Sequence, residues 1–182
     1  MSKAIGMIEY RTVSAGVTAA DQMVKTAAVE LLEAQTVCPG KYIALIAGEL
    51  SAVKAAVEAA ERTRPEELID SFILGNPHQA VFPAIYGTVR VEDPGALGIL
   101  ETYDASSIIV AADTAAKTAV VQLVELRIAK GMFGKSYLLL TGEVAACEAA
   151  IERAREAAAE SGMFLDSSVI AHPDRQLWRT IL

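Results

Sequence analysis

Charged residues are scarce in this chain, and its basic residues form no cluster. Of 182 residues only 21% are charged, and the formal net charge is −7. Because phosphate contacts need clustered Lys and Arg, the electrostatic footprint of a nucleic-acid-binding protein is missing. We therefore expect no nucleic-acid partner.

Long apolar runs are absent as well. The longest, such as the segment from Tyr42 to Ala47, have the length of a strand and are far too short to cross a bilayer. The start, Met1-Ser2-Lys3, lacks the apolar core of a signal peptide. We therefore expect a cytoplasmic protein with no membrane partner, in which the two cysteines form no disulfide.

The common catalytic motifs are missing too. No Gly-x-Gly-x-x-Gly or Walker loop follows a predicted strand, and no Gly-x-Ser-x-Gly elbow is present. The two histidines, His78 and His172, have no second His or Cys nearby at ligand spacing, and both lie at predicted helix starts. We therefore expect structural histidines, no catalytic residue and no enzyme.

The chain does contain an internal repeat: residues 4–85 recur, with changes, as residues 96–181. The run Ala4–Glu9 (AIGMIE) returns as Ala96–Glu101 (ALGILE), and Gly40-Lys41 returns as Gly134-Lys135. We predict two domains, residues 1–90 and 91–182. Units of this size are marginal alone, and 53% of the residues are hydrophobic. We therefore expect apolar surface that is reserved for contacts between domains or subunits.

Each copy shows the same order of elements, strand–helix–strand–strand–helix–strand followed by a short helix. Apolar residues at helical spacing alternate with strand-length apolar runs. The terminal helices are predicted to begin at Asn76-Pro77 and His172-Pro173, as a capping residue before proline suggests. The order predicts an α/β (α+β) fold of two tandem ferredoxin-like domains, each an antiparallel sheet with helices. The predicted strands are residues 4–10, 29–37, 42–47 and 67–74 in the first copy, and 96–102, 120–128, 136–141 and 164–170 in the second.

The two cysteines differ in their relation to the repeat. Cys147 aligns with Val53 on the apolar face of a helix and is predicted to be a buried core residue. Cys38 lies in the loop between the second and third strands and has no counterpart in the second copy. A single cysteine cannot hold an iron–sulfur cluster, but three chains around a symmetry axis would supply three thiolates. From the residues alone, an ordinary loop thiol is the default interpretation.

Carboxylates and lysines recur between the copies. Asp21 and Lys25 recur as Asp113 and Lys117, at the spacing of an ion pair on a helix face, and a contact between neighbouring assemblies is the alternative. A glutamate in the first strand, Glu9 or Glu101, also recurs. Since a catalytic residue is seldom needed twice, recurrence favours an architectural role.

Several motifs together resemble the shell domain of bacterial microcompartments. They are the AIGMIE run, Ala19-Ala20-Asp21 with Lys25, Pro39-Gly40-Lys41-Tyr42 and Gly48-Glu49-Leu50. The second copy carries the same signature, so nearly the whole chain resembles a tandem-domain shell protein. The run Val37-Cys38-Pro39-Gly40-Lys41 and the ending His172-Pro173 through Leu177-Trp178-Arg179 resemble, more narrowly, the iron–sulfur shell proteins of propanediol-utilisation microcompartments.

The resemblance implies a homotrimer that forms a pseudohexameric disc, tiles with other shell proteins and lies in the microcompartment shell. In such a disc Cys38 from each of three chains would bind one [4Fe–4S] cluster in a central pore, with the fourth iron ligand left open. The implied function is transfer of electrons or clusters across the shell, with an encapsulated or cytosolic redox enzyme as a further partner. The pore-lining residues would be Val37, Pro39, Gly40, Met132, Phe133 and Gly134, and the tiling-edge residues Asp21, Lys25, Asp113 and Lys117.

Two other interpretations stay open at this point. A cluster-free shell tile would pass small metabolites through the same pore, and Cys38 would then be incidental. A cytosolic ferredoxin-like enzyme or regulator is the third interpretation, and the absence of any convergent polar set argues against it.

Overall fold

The computed structural model describes residues 4–182, so the predicted lack of a leader at residues 1–3 lies outside the described residues. The chain divides into two compact units between Pro77 and His78. None of the helices between residues 4 and 182 has the length and apolar character needed to span a membrane.

The first unit contains one antiparallel sheet and two helices. Its sheet has the strand order β2-β3-β1-β4, and the helices pack on the sheet and on each other. This order matches the predicted ferredoxin-like domain. The elements are β1 (Ala4–Tyr10), α1 (Val13–Thr26), β2 (Glu30–Val37), β3 (Lys41–Gly48), α2 (Leu50–Glu61), a 3-10 turn (Pro65–Glu67) and β4 (Leu68–Leu74).

The second unit repeats this arrangement, with one short helix in front of it. Its antiparallel sheet has the order β6-β7-β5-β8, which is the same topology in the same chain order. The predicted fold class, two tandem domains of sheet and helices, is therefore confirmed. The elements are α3 (Val81–Tyr86), β5 (Ala96–Thr102), α4 (Ala105–Thr118), β6 (Val121–Arg127), β7 (Ser136–Gly142), α5 (Val144–Glu160), β8 (Phe164–Ile170) and α6 (Arg175–Ile181).

Glycine in the central strand lets the second helix of each copy approach the sheet closely. A Cβ atom added to Gly6 would lie 2.7 Å from a methyl group of Val53 on α2. A Cβ atom on Gly98 would lie 2.5 Å from Leu140 and 2.8 Å from Ile151 on α5. Because real Cβ atoms do not approach other atoms so closely, glycine is required at both positions, and this explains its recurrence.

The terminal helices begin later than the sequence predicted. Asn76 has a left-handed backbone with φ of +53°, so it turns the chain and starts no helix, and α3 begins only at Val81. The backbone N–H of Ala80 donates to Nδ1 of His78, at 3.2 Å, which gives this histidine a structural role. In the second copy the cap is Asp174, whose carboxylate accepts from the N–H of Gln176, and not the His172-Pro173 pair.

The segment between the two repeats belongs to the second unit. α3 packs against β6 and α4, and the backbone N–H of His78 donates to Oδ1 of Asp113 at 2.7 Å. By contacts, residues 78–90 therefore lie with the second unit. The domain boundary between residues 90 and 91 was inferred from the internal repeat in the sequence, and it stays a prediction.

Candidate functional site

Cys38 lies in a three-residue turn that joins β2 to β3. The backbone N–H of Gly40 donates to the carbonyl of Val37 at 2.9 Å and closes the turn. Gly40 has φ of +87°, a conformation that suits glycine, and the Cys38–Pro39 peptide bond is cis. The two strands pair up to the turn, with Val37 opposite Lys41. Cys38 is thus held at the end of a regular hairpin.

Two side-chain contacts fix the base of this hairpin. The ammonium group of Lys41 forms an ion pair with the carboxylate of Glu9 on β1, and Glu9 is buried. The next residue, Tyr42, packs closely on α1 at Gly16, where an added Cβ atom would come within 2.5 Å of the tyrosine ring. The residues three and four positions after Cys38 are therefore anchored to β1 and to α1, respectively.

The thiol of Cys38 is free and half-buried. Pro39 and Gly40 beside it are exposed, whereas Val37 is buried. The predicted pore-lining residues of the first copy therefore lie in one turn, with Val37 directed inward. The described part of the chain holds no group of three or more His, Cys, Asp or Glu side chains that could bind a metal ion. One chain offers a single thiolate at this turn.

The corresponding loop of the second copy is longer. Residues 128–135 join β6 to β7, and the loop ends in a turn in which the N–H of Lys135 donates to the carbonyl of Met132 at 3.2 Å. Gly134 has φ of +90°, nearly that of its counterpart Gly40, so the repeat extends to the backbone of the turn. Phe133 is 80% exposed at the tip. An apolar ring stands here, and the loop offers no thiolate.

Different side chains hold the base of the second loop. The hydroxyl of Tyr137 donates to Glu125 at 2.8 Å, and the guanidinium of Arg127 contacts the same carboxylate at 2.7 Å. Burial, together with this hydrogen bond, raises the pKa of Tyr137 to about 12. In the described part of the chain Lys135 and Glu101, the counterparts of Lys41 and Glu9, form no ion pair. The anchor of the Cys38 turn is thus particular to the first copy.

Cys147 is a core residue, as predicted. It is fully buried on α5, and its thiol points to the carbonyl of Ala96 at 3.7 Å. Burial raises the pKa of this thiol, which disfavours the thiolate that a metal requires. Of the two cysteines, only Cys38 is accessible as a ligand.

The two recurring Asp–Lys pairs have different surroundings. Lys25 contacts Asp21 at 2.6 Å, and the side chain of Asp21 is 55% exposed. Lys117 contacts Asp113 at 2.7 Å, but the side chain of Asp113 is only 7% exposed and also accepts the N–H of His78. The ion pairs predicted from the spacing are present in both copies. Their recurrence does not mean equal burial.

We expect Asp113→Ala to lower the free energy of unfolding by about 2–3 kcal/mol, because it removes the buried carboxylate that accepts the backbone N–H of His78. Urea unfolding followed by circular dichroism measures the change. Asp93→Ala, at an exposed position of the same unit, is the control and should change stability by less than about 0.5 kcal/mol. Equal losses in the two variants would contradict the assignment of His78 and Asp113 as a structural contact.

Sequence reasoning missed two features of this site. Glu9 was interpreted only as a recurring architectural residue, and its contact with Lys41 was not foreseen. The one signal was a carboxylate in an otherwise apolar strand, which requires a buried partner. The packing of α3 on the second unit was also missed, although the apolar spacing of Val81, Ala84 and Ile85 marks one buried face.

Comparison with protein families finds the BMC domain twice in this chain, over residues 4–77 and 96–173. The matched segments coincide with the two sheets and their helices. The bacterial microcompartment shell protein PduT of Citrobacter freundii is 38% identical over 182 residues, which is 100% of this chain and 99% of that protein. The carboxysome shell protein CcmK2 of a Synechocystis strain is 40% identical over 83 residues, 43% of this chain and 81% of that protein.

Among solved structures, a microcompartment protein from Desulfitobacterium hafniense superimposes with a TM-score of 0.94 at 45% identity. The match covers 98% of this chain and 99% of that one. A fused permuted hexameric shell protein from the RMM microcompartment has a TM-score of 0.61 at 25% identity, over 87% of this chain and 82% of that chain. The similarity to PduT and to the first structure extends over both repeats and the helices that follow them.

Proposed function

This chain belongs to the BMC domain family and is a microcompartment shell protein, and we propose that three copies form a pseudohexameric disc whose central pore holds one [4Fe–4S] cluster on Cys38. The full-length similarity to PduT and the tandem domains support a disc built from two-domain chains. With two shell domains per chain, three chains supply six domains around one axis.

The accessible thiol of Cys38 is the observation that carries the cluster proposal. It is free and half-buried in a hairpin turn that Glu9, Lys41 and Tyr42 hold in place. Iron–sulfur clusters are held by thiolates, and three copies of this turn at one axis would supply three of them. The second copy offers Phe133 at its turn, so the disc has three thiolates and not six. The fourth iron position is then filled by water, a small thiol or a partner.

When bound, such a cluster supplies one-electron chemistry. Cys38 of each chain would hold the cluster at the pore, and the contacts of Lys41 with Glu9 and of Tyr42 with α1 fix the turn that carries the thiol. Val37, Pro39 and Gly40 with Met132, Phe133 and Gly134 line the pore in this proposal. The disc thereby transfers electrons or clusters across the shell, to or from a redox enzyme inside the compartment or in the cytosol.

The outer edge of the disc is the second part of the proposal. Lys25 and Lys117 lie at the edge and contact neighbouring shell proteins, and Asp21 and Asp113 orient their ammonium groups. The i,i+4 ion pairs support this, because each fixes a lysine on a helix face. Lys25 and Lys117 both remain substantially exposed, at 67% and 43%.

Anaerobic purification tests the proposal. We expect a brown protein with the mass of three chains, about four iron and four sulfide ions per trimer, and a paramagnetic resonance signal in one of its redox states. A trimer that stays colourless and free of iron after careful reconstitution would favour the alternative, a cluster-free tile that passes small metabolites. A protein that forms neither trimers nor sheets would contradict the disc itself.

A further inference from the structure

The second unit contains a cavity of about 630 Å³ that lies between the start of β5, the start of α5 and one face of α6. Its lining consists of residues 93–96, 142–144 and 171–173, together with Arg175, Trp178 and Arg179 of α6. Pockets of this size bind small organic molecules. The lining includes neither Cys38 nor any of the predicted pore residues, so this cavity is a separate site.

The two arginines of α6 line the cavity without a partner. Arg175 and Arg179 are four positions apart, so their side chains lie on the same face of the helix. Within residues 4–182 neither guanidinium forms an ion pair or a hydrogen bond. Like charges at this spacing destabilise a helix, and a bound anion would remove the repulsion. Arginine is also the side chain that binds carboxylates and phosphates through two parallel hydrogen bonds.

A third donor at the cavity is the indole N–H of Trp178. The residue is 6% exposed, and its Nε1 atom has no acceptor in the part of the chain that the structure describes. A buried donor without an acceptor is costly, and native structures usually satisfy it with a protein group, a water molecule or a ligand. Because Trp178 lines the cavity, a ligand bound there would supply the missing acceptor.

The first turn of α5 adds backbone donors to the same cavity. The residue at its start, Glu143, makes no side-chain hydrogen bond to the helix, so the first N–H groups of this 17-residue helix lack a side-chain cap. The partial positive charge of a helix start also favours an anion. The carboxylates of Asp93 and Glu143 belong to the lining as well. Since carboxylates accept hydrogen bonds, a ligand that fits carries hydroxyl groups besides its anionic group.

The internal repeat shows which of these features the fold itself requires. In the first copy α2 also begins after a glutamate, Glu49, that makes no capping hydrogen bond, so the open helix start is common to both copies. The two cations and the indole are not common to both. The first copy has other residues at the three α6 positions, namely Gln79, Phe82 and Pro83. The cationic face of α6 is therefore particular to the second copy, and a binding role accounts for it.

We propose that this cavity binds a small hydroxylated organic anion, either a carboxylate or a phosphate ester. Arg175 and Arg179 hold the anionic group. The indole N–H of Trp178 and the first turn of α5 donate further hydrogen bonds to it, and Asp93 and Glu143 accept from the hydroxyl groups. Each chain carries one such site, which binds a solute away from the proposed pore and its cluster.

Intrinsic fluorescence reports on this site directly, because Trp178 is the one tryptophan of the chain. Glycerol 3-phosphate and lactate, which combine hydroxyl groups with a phosphate and a carboxylate, are titrated into the full-length protein. We expect a saturable change in emission with a dissociation constant below about 1 mM for at least one of them. The tighter probe distinguishes a phosphate ligand from a carboxylate ligand. Glycerol, which has no anionic group, should bind at least about tenfold more weakly.

Variants of the arginines test whether the anion binds where the structure indicates. Arg175→Gln and Arg179→Gln should each weaken binding of the tighter probe at least about tenfold. Both positions are exposed, so folding should be unaffected, and circular dichroism checks this. Arg62→Gln removes an exposed positive charge outside the cavity and should leave the affinity unchanged. Trp178→Phe, measured by calorimetry, should weaken binding about threefold to tenfold through loss of the indole N–H.

Two results would overturn the inference. The first is the absence of saturable binding for both anionic probes up to about 10 mM. The second is an affinity that stays the same in the wild type, Arg175→Gln and Arg179→Gln. Neither result bears on iron binding at Cys38, which the cavity does not include.

Discussion

Cys38→Ser should remove essentially all iron from the anaerobically purified trimer, while its mass stays that of three chains. The thiol is the one accessible cysteine ligand in the described residues, because Cys147 is fully buried. A serine hydroxyl has nearly the same shape but is not a thiolate at neutral pH, so it cannot replace the ligand that holds a cluster. We expect iron to fall from about four ions per trimer to less than about 0.5.

The loss should be specific to the ligand and not to the fold. Cys38 is half-buried and accepts or donates no hydrogen bond that the hairpin needs, since Gly40 and Val37 close the turn. We expect the unfolding free energy to change by less than about 0.5 kcal/mol. Iron assay, visible absorbance and thermal unfolding measured on one sample distinguish loss of the ligand from loss of structure.

The repeat supplies a matched control for the same experiment. Cys147→Val installs the residue that the first copy has at the equivalent position, where Val53 is also fully buried. This variant should keep its iron and its trimer, at a cost of less than about 1.5 kcal/mol for a similar apolar side chain in a packed core. Retention of the cluster in Cys38→Ser, or its loss in Cys147→Val, would show that Cys38 is not the ligand.

Sequence reasoning predicted the elements well because the repeat supplied each pattern twice. β1 and β5 have the predicted bounds, and so does β8 (Phe164–Ile170). β1 and β5 are apolar runs bounded by turn residues, and their glycines, Gly6 and Gly98, are fixed by close contact with the second helices. Where a local pattern decides the structure, one sequence was sufficient.

Differences between the copies could not be predicted in this way, because they depend on contacts between distant residues. Asp21 and Asp113 occupy the same helical position, yet only Asp113 is covered, and the cover is the segment that begins at His78. The start of α3 was misplaced for a related reason. Asn76 followed by Pro77 has the composition of a helix cap, but the backbone of Asn76 is left-handed and forms a turn.

The site shows the same division between local and distant information. Cys38 was identified as the distinguishing residue of its loop from the sequence, since the second copy lacks it. The sequence did not show that the turn is anchored through Lys41 to a carboxylate 32 positions earlier in the chain. Pairing β1 with β3 places Glu9 opposite Ile43, and only that register brings the two charges together.

That anchor gives the largest expected loss of stability. Glu9→Gln should lower the free energy of unfolding by about 3 kcal/mol, because it leaves the ammonium group of Lys41 without its buried counter-ion. The lower end of the range for broken buried pairs applies, since Lys41 keeps 22% exposure and can turn toward water. Urea unfolding of the iron-free protein measures the loss. The turn should also loosen, so the iron-loaded trimer should release its iron faster to a chelator.

Glu101→Gln provides the comparison within the same chain. Glu101 occupies the equivalent strand position but is half-buried, and the described residues show no ion pair between it and Lys135. Its substitution should cost less than about 1 kcal/mol and leave the rate of iron release unchanged, because it frees no buried charge and lies in the repeat that offers no thiolate. Equal effects of the two substitutions would mean that both glutamates stabilise their sheets and that Glu9 has no particular role in anchoring the Cys38 turn. A loss confined to Glu9→Gln would show that the buried ion pair is an anchor of the first repeat alone, where β1 carries the glutamate and pairs with the strand that positions Lys41.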